Sequence, residues 1–215
     1  MNPNIAYLCL QATKEGQASF AHVHEIIKGL KKKDCDIHLF QPRYVSKEGL
    51  PSILGKLIEF FQIQLSLCLY SKNFDLLYVR SHFCAYPCVV VFRFLKIPIV
   101  MELNGSYNDV VSAYPISRFF IKFINFVNNR MLHSCDALIT VTPQLKIYYE
   151  DMLKRNDIHV IPNGADTDFF RPNLPPVRNL PKPYVLFFGA LARWQGIDTI
   201  LDSLNNPNWP EEVNL

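Results

Sequence analysis

A doubly wound parallel α/β sheet is the fold class this sequence predicts, and three observations predict it. Short runs rich in Ile, Leu and Val recur along the chain as far as Ile161, and segments with apolar residues at helical spacing separate them. The first run, Ile5 to Leu10 (IAYLCL), is apolar without interruption, as a strand buried on both faces of a parallel sheet must be. Strands alternating with helices enforce right-handed crossovers and parallel pairing. At 215 residues, 49% of them apolar, the chain can bury one full core and begin another.

The elements follow in order. IAYLCL breaks into a polar loop, Gln11 to Ser19 (QATKEGQAS). Phe20 to Leu30 is helical in period through Val23, Ile26, Ile27 and Leu30, and Lys31 to Lys33 complement the helix C-terminus. Cys35 to Phe40 (CDIHLF) alternates and is the second strand. Leu50, Ile53, Leu54, Leu57, Phe61, Leu65 and Cys68 share one helical face, with Ser52, Lys56, Glu59, Gln62 and Ser66 opposite. That is an amphipathic helix, too interrupted to span a membrane. Asp75 to Val79 (DLLYV) is the third strand, Phe83 to Leu95 an apolar helix, and Ile97 to Met101 (IPIVM) the fourth strand. Ile116 to Leu132 is helical in period, with Arg118, Lys122 and Arg130 its only charges. Asp136 to Val141 (DALITV) is the fifth strand, Pro143 opens a helix at a favoured early position, and Ile158 to Ile161 closes the domain as the sixth.

That last strand stops at Pro162-Asn163-Gly164, where Pro fixes φ and Asn-Gly supplies a turn with φ > 0. From Pro172 to Pro183 come five prolines without apolar periodicity, the composition of a stiff connector. A new strand, Tyr184 to Phe188, then runs into Gly189, a loop, Gly196 and an amphipathic segment. The expected organisation is a domain over 1–171, a linker over 172–183 and the beginning of a second domain over 184–215. A lone strand and helix cannot form a stable domain, so the chain is expected to be partial.

Composition excludes several classes. Lys plus Arg is 22 against Asp plus Glu 19, a net charge of +3, and the one basic run, Lys31 to Lys33, reads as a solvated helix end, so no nucleic-acid partner is expected. Six cysteines sit mostly in apolar runs, which suits reduced thiols in a cytoplasmic protein. Cys84-Ala85-Tyr86-Pro87-Cys88 has one residue too many for a CxxC pair, and no metal site is expected. The N-terminus lacks a basic region and a long enough apolar run for a signal peptide. KEGQAS after the first strand replaces the GxGxxG of a nicotinamide oxidoreductase.

In an open parallel sheet, ligands bind beyond the carboxyl ends of the strands, and this rule nominates particular loops. Gly16-Gln17-Ala18-Ser19 precedes a helix. Either its amides hold a phosphate or a sugar hydroxyl, or it is an ordinary helix start with Ser19 as N-cap. His22, in that helix's first turn, belongs to the same site or is a surface or packed histidine. Arg80 and His82 follow an apolar strand and point at solvent or a cleft, Arg80 either as a bidentate clamp on an anion or in a structural salt bridge. Glu102 and Asn104 flank a strand end ahead of Gly105 and Tyr107-Asn108-Asp109. Such groups suit hydroxyl-rich ligands, and plain turn chemistry is the alternative. Thr142 follows the fifth strand. Arg193 and Gln195, after Gly189 and beside a helix N-terminus, would form a diphosphate cradle that Gly196 lets the ligand approach closely. Phe119, Phe120, Phe123 and Val127 with Arg118, Lys122 and Arg130 make a basic amphipathic helix, which rests on anionic lipid or turns its apolar face to the core.

VIPNGADTDFFRP followed by YVLFFGALARWQGID resembles glycosyltransferase family 4, the retaining, sugar-nucleotide-dependent enzymes with the two-domain GT-B fold. GQASFAHVHEIIKGLKKKDCDIHLF is similar to that family's first loop, helix and second strand; FDLLYVRSHF and IPIVMELNG to its third and fourth strands; CDALITVTPQLKIYY to its fifth strand and next helix. The resemblance covers essentially the whole chain. It implies a Rossmann-like N-terminal domain that mainly binds acceptor, a C-terminal domain that mainly binds nucleotide sugar, and chemistry in the cleft between them. By position, Gly16 matches the first-loop glycine near the donor phosphates, Asn163, Gly164 and Asp166 the interdomain segment, and Gly189 and Gly196 bracket the diphosphate loop. The family usually has His where Asn104 stands, Arg where Ala190 stands and Lys where Gln195 stands, which leaves Arg193 as the candidate cation for the leaving diphosphate.

The expected function is therefore transfer of a sugar from a nucleotide-diphosphate donor to a hydroxyl or lipid-linked acceptor in glycan or glycolipid biosynthesis. Glu102, Asn104 and His22 are the catalytic candidates. Gly16, Gln17, Gly189, Arg193, Gln195 and Gly196 are expected on the donor phosphates, and Ser19, Arg80, His82, Glu102 and Asn104 on the acceptor. No metal or cofactor besides the nucleotide sugar is expected. The basic helix over 116–132 suggests a cytoplasmic enzyme peripheral to the inner membrane face. The chain ends at Leu215, ahead of the family's paired-glutamate motif, so these 215 residues are expected not to turn over alone. A noncatalytic or split-subunit Rossmann-like binding module is the second reading. An open frame continuing past Leu215 would favour the enzyme, and an authentic stop codon the module.

Overall fold

Six consecutive apolar residues need cover on both faces and partners on both edges, and β1 (Asn4–Cys9) has all four. Its residues from Ala6 to Cys9 are wholly buried. β2 (Asp36–Phe40) and β3 (Leu76–Arg80) flank it in parallel, with Tyr7 opposite Leu39 on one side and Tyr78 on the other. β4 (Ile99–Leu103), β5 (Ala137–Thr140) and β6 (Ile158–Val160) continue outward from β3. The order is β2-β1-β3-β4-β5-β6, every pair parallel. This is the doubly wound, Rossmann-like sheet that the alternation of runs predicts. The computed structural model describes residues 2–43, 52–106, 120–172, 183–189 and 195–213.

Period-two alternation divides the sheet's side chains between two cores. Ile5, Tyr7, Cys9, Ile37 and Tyr78 meet Val23, Ile26, Ile27 and Leu30 of α1 (Ala18–Lys31). On the other face Ala6, Leu8, Leu77, Val79, Met101 and Leu138 meet four helices: α2 (Ile53–Leu69), α3 (Tyr86–Phe94), α4 (Ile121–His133) and α5 (Pro143–Leu153). α3 is shorter than its apolar run, because Phe83–Ala85 forms a separate 3₁₀ turn ahead of it. α5 begins where Pro143 announces it, and Thr142 accepts a hydrogen bond from Leu145 N at 3.2 Å.

α2 departs from the amphipathic rule. The leucine-rich face is the one the rule assigns to the core, yet Leu54, Leu57, Phe61 and Leu65 are exposed, and Phe60, Gln64 and Leu67 are the residues packed inward. Gln64 is satisfied on this inward side: its Oε1 accepts from Cys88 N of α3 and its Nε2 donates to Phe60 O.

The chain divides into two compact units, Met1–Asp166 and Thr167–Leu215, so the change comes a few residues before the expected end of the first domain at 171. Two expectations fail near this point. Neither Asn163 nor Gly164 adopts a positive φ, and 161–166 runs as irregular chain without the expected turn. The strand expected over Tyr184 to Phe188 is reduced to one bridge residue at Tyr184. α6 (Ile197–Leu204) follows Gly196, whose φ of 72° is left-handed. The linker residues 173–182 and the loop residues 190–194 lie outside the described residues.

The rotation of α2 is testable within two positions of one helix. Leu67→Ala removes a fully buried side chain and is expected to cost about 2–5 kcal/mol, whereas Leu65→Ala on the exposed stripe is expected to change stability by less than about 0.5 kcal/mol. Denaturant unfolding reads both, and the reverse ranking would mean that α2 buries its leucine face.

Candidate functional site

Strand register assembles the site before any loop is considered. Cys9, Arg80 and Glu102 are successive partners across β1, β3 and β4, all at or near the carboxyl ends of their strands. Tyr78 lies two residues before Arg80, hence on the same face of the sheet, which is the face that α1 covers. Glu102 is only 2% exposed, so its carboxylate must be hydrogen-bonded or neutral. Tyr78 OH donates to its Oε2 at 2.6 Å. His22 Nε2 of α1 meets its Oε1, also at 2.6 Å. Asn104 Nδ2 donates to the same Oε1, and Arg80 Nη1 stands 3.6 Å away as an ion pair without a hydrogen bond. Arg80 Nε donates to Gln11 Oε1 at 3.1 Å, while its Nη1 is buried without a hydrogen-bond partner among the described residues.

Burial alone would push the Glu102 carboxyl up. Hydrogen bonds from His22, Tyr78 and Asn104 outweigh that penalty and hold it below the usual carboxylate range. An ionised carboxylate only accepts, so the proton between it and His22 belongs to His22 Nε2, and the second ring nitrogen is left to accept or donate. Tyr78 is driven the other way. Burial first, then the Glu102 charge, keeps its phenol protonated far above the ordinary range, and Tyr7 is raised by burial and the same charge. His22 is 19% exposed and gives the cluster an opening to solvent. A carboxylate that orients an imidazole and stabilises its cation is the arrangement that moves a proton to or from a hydroxyl.

The loop after β1 sets α1 over this cluster. Gln17 N donates to Lys14 O, which closes a turn whose third residue, Gly16, has a φ of 84°. A side chain there would meet no neighbour, so the demand for glycine is conformational, not steric. Gln17, not Ser19, is the N-cap, and no side chain caps the helix. Ser19 stands inside the first turn. Because α1 starts at Ala18, His22 falls in its second turn, not its first. Behind β4, Tyr149 OH of α5 donates to Gly105 O at 2.8 Å and pins the loop that carries Asn104.

Thus the structure gathers Glu102, His22, Asn104 and Arg80, with Gly16 and Gln17 at the start of the helix that brings His22. His82 does not join them. Its Nδ1 accepts from Cys84 N at 3.3 Å to cap the 3₁₀ turn, its ring stacks on Phe83 and abuts Phe60, and burial lowers its pKa to about 4. Its Nδ1 is engaged in that cap, and its side chain is only partly exposed. Asp166 is tied to α1 by Lys28 Nζ at 2.8 Å, and Asn163 and Gly164 are exposed. In the second unit Gly189 and Gln195 are exposed and Gly196 caps α6, while Arg193 lies outside the described residues. Tyr107-Asn108-Asp109 also lies outside them. Sequence reasoning missed Tyr78, Gln11 and Tyr149. The one signal for Tyr78 is a hydroxyl inside an otherwise aliphatic strand, DLLYV.

Both titrations predict acid lability. His82 is held neutral in the fold but takes a proton near 6.5 when unfolded. Glu102 is held ionised in the fold but protonates nearer its ordinary value when unfolded. In each case the unfolded chain binds more protons, so the stability is complete above the unfolded value and is lost as pH falls toward the folded one. One histidine ring resonance is expected to titrate near pH 4 by NMR and to vanish in His82→Gln. A midpoint above 6 for that resonance would refute its burial.

The comparisons with known proteins bear on the fold and the family. A crystal structure of Anabaena Alr3699/HepE in complex with UDP and glucose is similar over 99% of this chain and 60% of its own, with a TM-score of 0.62 and 16% identity. The same protein in complex with UDP-glucose is similar over 99% and 59%, with a TM-score of 0.56 and 15% identity. Acinetobacter baumannii MurG aligns over 66% of this chain and 42% of its own, at 10% identity and a TM-score of 0.41. The chain therefore spans less than two thirds of the length of these proteins, and at such identities the likeness speaks to fold alone. No curated protein matches the chain. The family described as Glycosyltransferase Family 4 matches residues 20–169, more than half of the sequence and nearly all of the unit that holds Glu102 and His22. The chain belongs to Glycosyltransferase Family 4.

Proposed function

We propose that the protein transfers a sugar from a nucleotide-diphosphate donor to a hydroxyl acceptor, with retention of configuration, in glycan or glycolipid biosynthesis. The unit Met1–Asp166 carries the acceptor side of that reaction. The observation that supports this reading most is the Glu102 cluster. It gathers an ionised carboxylate, an imidazole, an amide and a guanidinium at the carboxyl ends of parallel strands, where open α/β sheets bind ligands. Sugars need many oriented donors and acceptors, and this cluster provides both kinds.

Within the reading, Glu102, Asn104 and His22 receive the acceptor hydroxyl, and Arg80 supports the Glu102 charge from 3.6 Å. Gly16 and Gln17 lie near the donor phosphates. Gly189, Arg193, Gln195 and Gly196 hold the donor diphosphate. The reading uses no metal and no resident cofactor. Family membership supports the reaction class, and the UDP and UDP-glucose named with Anabaena HepE support a nucleotide sugar as donor. The acceptor is read as lipid-linked and the enzyme as cytoplasmic and peripheral to the inner membrane face, from the basic, Phe-rich segment around α4.

Transfer itself is the test. The protein at the length its gene encodes is incubated with a panel of nucleotide sugars and with soluble and lipid-linked hydroxyl acceptors. The product is identified by mass spectrometry and its anomeric configuration by NMR. Glu102→Gln and His22→Gln are each expected to lower kcat on the order of 100-fold. Unchanged rates in both variants would remove the cluster from the chemistry, and an inverted product would overturn the retaining mechanism.

A further inference from the structure

The sheet face opposite α1 is covered by helices that remain apolar on their outer sides. On α2, Leu54, Ile58, Phe61 and Leu65 recur at i, i+4, i+7 and i+11 and are 48–67% exposed. α3 packs against both α2 and α4 and leaves Phe94 85% exposed. On α4 the inward residues are Ile124, Asn128, Met131 and Leu132, so Lys122, Phe123, Phe126 and Arg130 share the outward face. The Arg130 guanidinium lies 5.4 Å from the centre of the Phe126 ring. Apolar surface this extensive on neighbouring helices marks an interaction face.

Charge decides what it fits. The outward face of α4 carries Lys122 and Arg130 and no carboxylate, while Lys56 and Glu59 lie off the α2 stripe and Arg93 is paired with Asp136 at 2.8 Å. Two copies joined through this face would set cation against cation, which disfavours a second copy as occupant. No helix among the described residues is long and apolar enough to cross a membrane. Aliphatic and aromatic side chains interleaved with Lys and Arg, and nearly free of acids, form the composition of helices that lie in the plane of an anionic bilayer.

We propose that the outer face of α2, α3 and α4 is a docking surface for an anionic membrane. Its apolar side chains enter the boundary between headgroups and acyl chains, and its cations sit among the lipid phosphates. The inference deepens the peripheral reading above and rests on it, and it extends the contact from the segment around α4 to α2, whose leucine stripe the fold turns outward. It requires no sugar transfer, so vesicle binding and catalysis fail separately.

The test is flotation of the 215-residue chain with vesicles of phosphatidylcholine alone and of phosphatidylcholine mixed with phosphatidylglycerol. Binding is expected to the mixed vesicles and to weaken with salt. Phe61→Ser with Leu65→Ser, on α2, is expected to weaken partition about tenfold or more, since each exposed side chain removed deletes burial in lipid. Lys122→Ala with Arg130→Ala is expected to abolish the preference for anionic vesicles. All these positions are exposed, so circular dichroism and melting are expected to stay as in the parent. Absence of binding to mixed vesicles, equal binding to both kinds, or partition unchanged by the α2 pair would overturn the proposal. So would a dimer in light scattering that the α2 pair abolishes, because the face would then belong to a second copy.

Discussion

One buried carboxylate organises the unit Met1–Asp166. An ionised group taken out of water costs several kcal/mol unless hydrogen bonds and opposite charge replace its hydration. Glu102 obtains these from three separate parts of the fold: Tyr78 and Arg80 on the neighbouring strand, His22 on the crossover helix and Asn104 two residues further on. None of these donors is interchangeable with solvent, because the carboxylate is 2% exposed. The sheet register that sets Arg80 beside Glu102 and the docking of α1 that brings His22 are thus coupled. A slip of either would leave a charge buried and unpaired.

That coupling explains why α1 is built as it is. Its N-terminus has no side-chain cap, a feature that ordinarily costs a helix about 1 kcal/mol. In its place stands the turn at Lys14–Gln17, with Gly16 in the left-handed region, which sets the direction in which the helix leaves β1. Val23 packs into the smaller core one residue after His22, so a single turn of helix supplies both an apolar anchor and a polar partner for the sheet. Nearer its C-terminus, Lys28 holds Asp166 at the last residue of the unit. One helix therefore links the start of the fold, the polar cluster and the place where the unit ends.

How much of this can be read in the sequence depends on whether a residue's surroundings repeat with a simple period. Parallel strands buried on two faces appear as runs such as IAYLCL, and every strand of the unit is legible to within about two residues. Glu102 is legible because a carboxylate that closes an apolar strand loses its hydration there, and only a polar cluster at the strand end can replace it. The rotation of α2 is not, because α2 is apolar on more than one side and the pattern of leucines fits either orientation. His82 misleads because it stands in line with Arg80 along the chain, yet the 3₁₀ turn bends it toward Phe60 and Phe83. Tyr78 is invisible for a related reason. A tyrosine in a core strand counts as apolar until its hydroxyl is seen to reach a carboxylate.

The two faces of the sheet differ in a way that follows from their covers. On one, α1 is the helix among the described residues, and the strand ends beside it hold a cluster whose charges and hydroxyls are paired within a low-dielectric setting, where each hydrogen bond is stronger than in water. On the other, four helices among the described residues bury a larger core, and all four keep apolar side chains outside. Phe94 and Phe123 stand 85% and 67% exposed and take no part in that core. Apolar residues left outside on neighbouring helices offer a surface to a partner. Lys122 and Arg130 share the outward side of α4 with Phe123 and Phe126, and the same fold thereby holds a polar cluster at the strand ends and an apolar, cationic surface behind them.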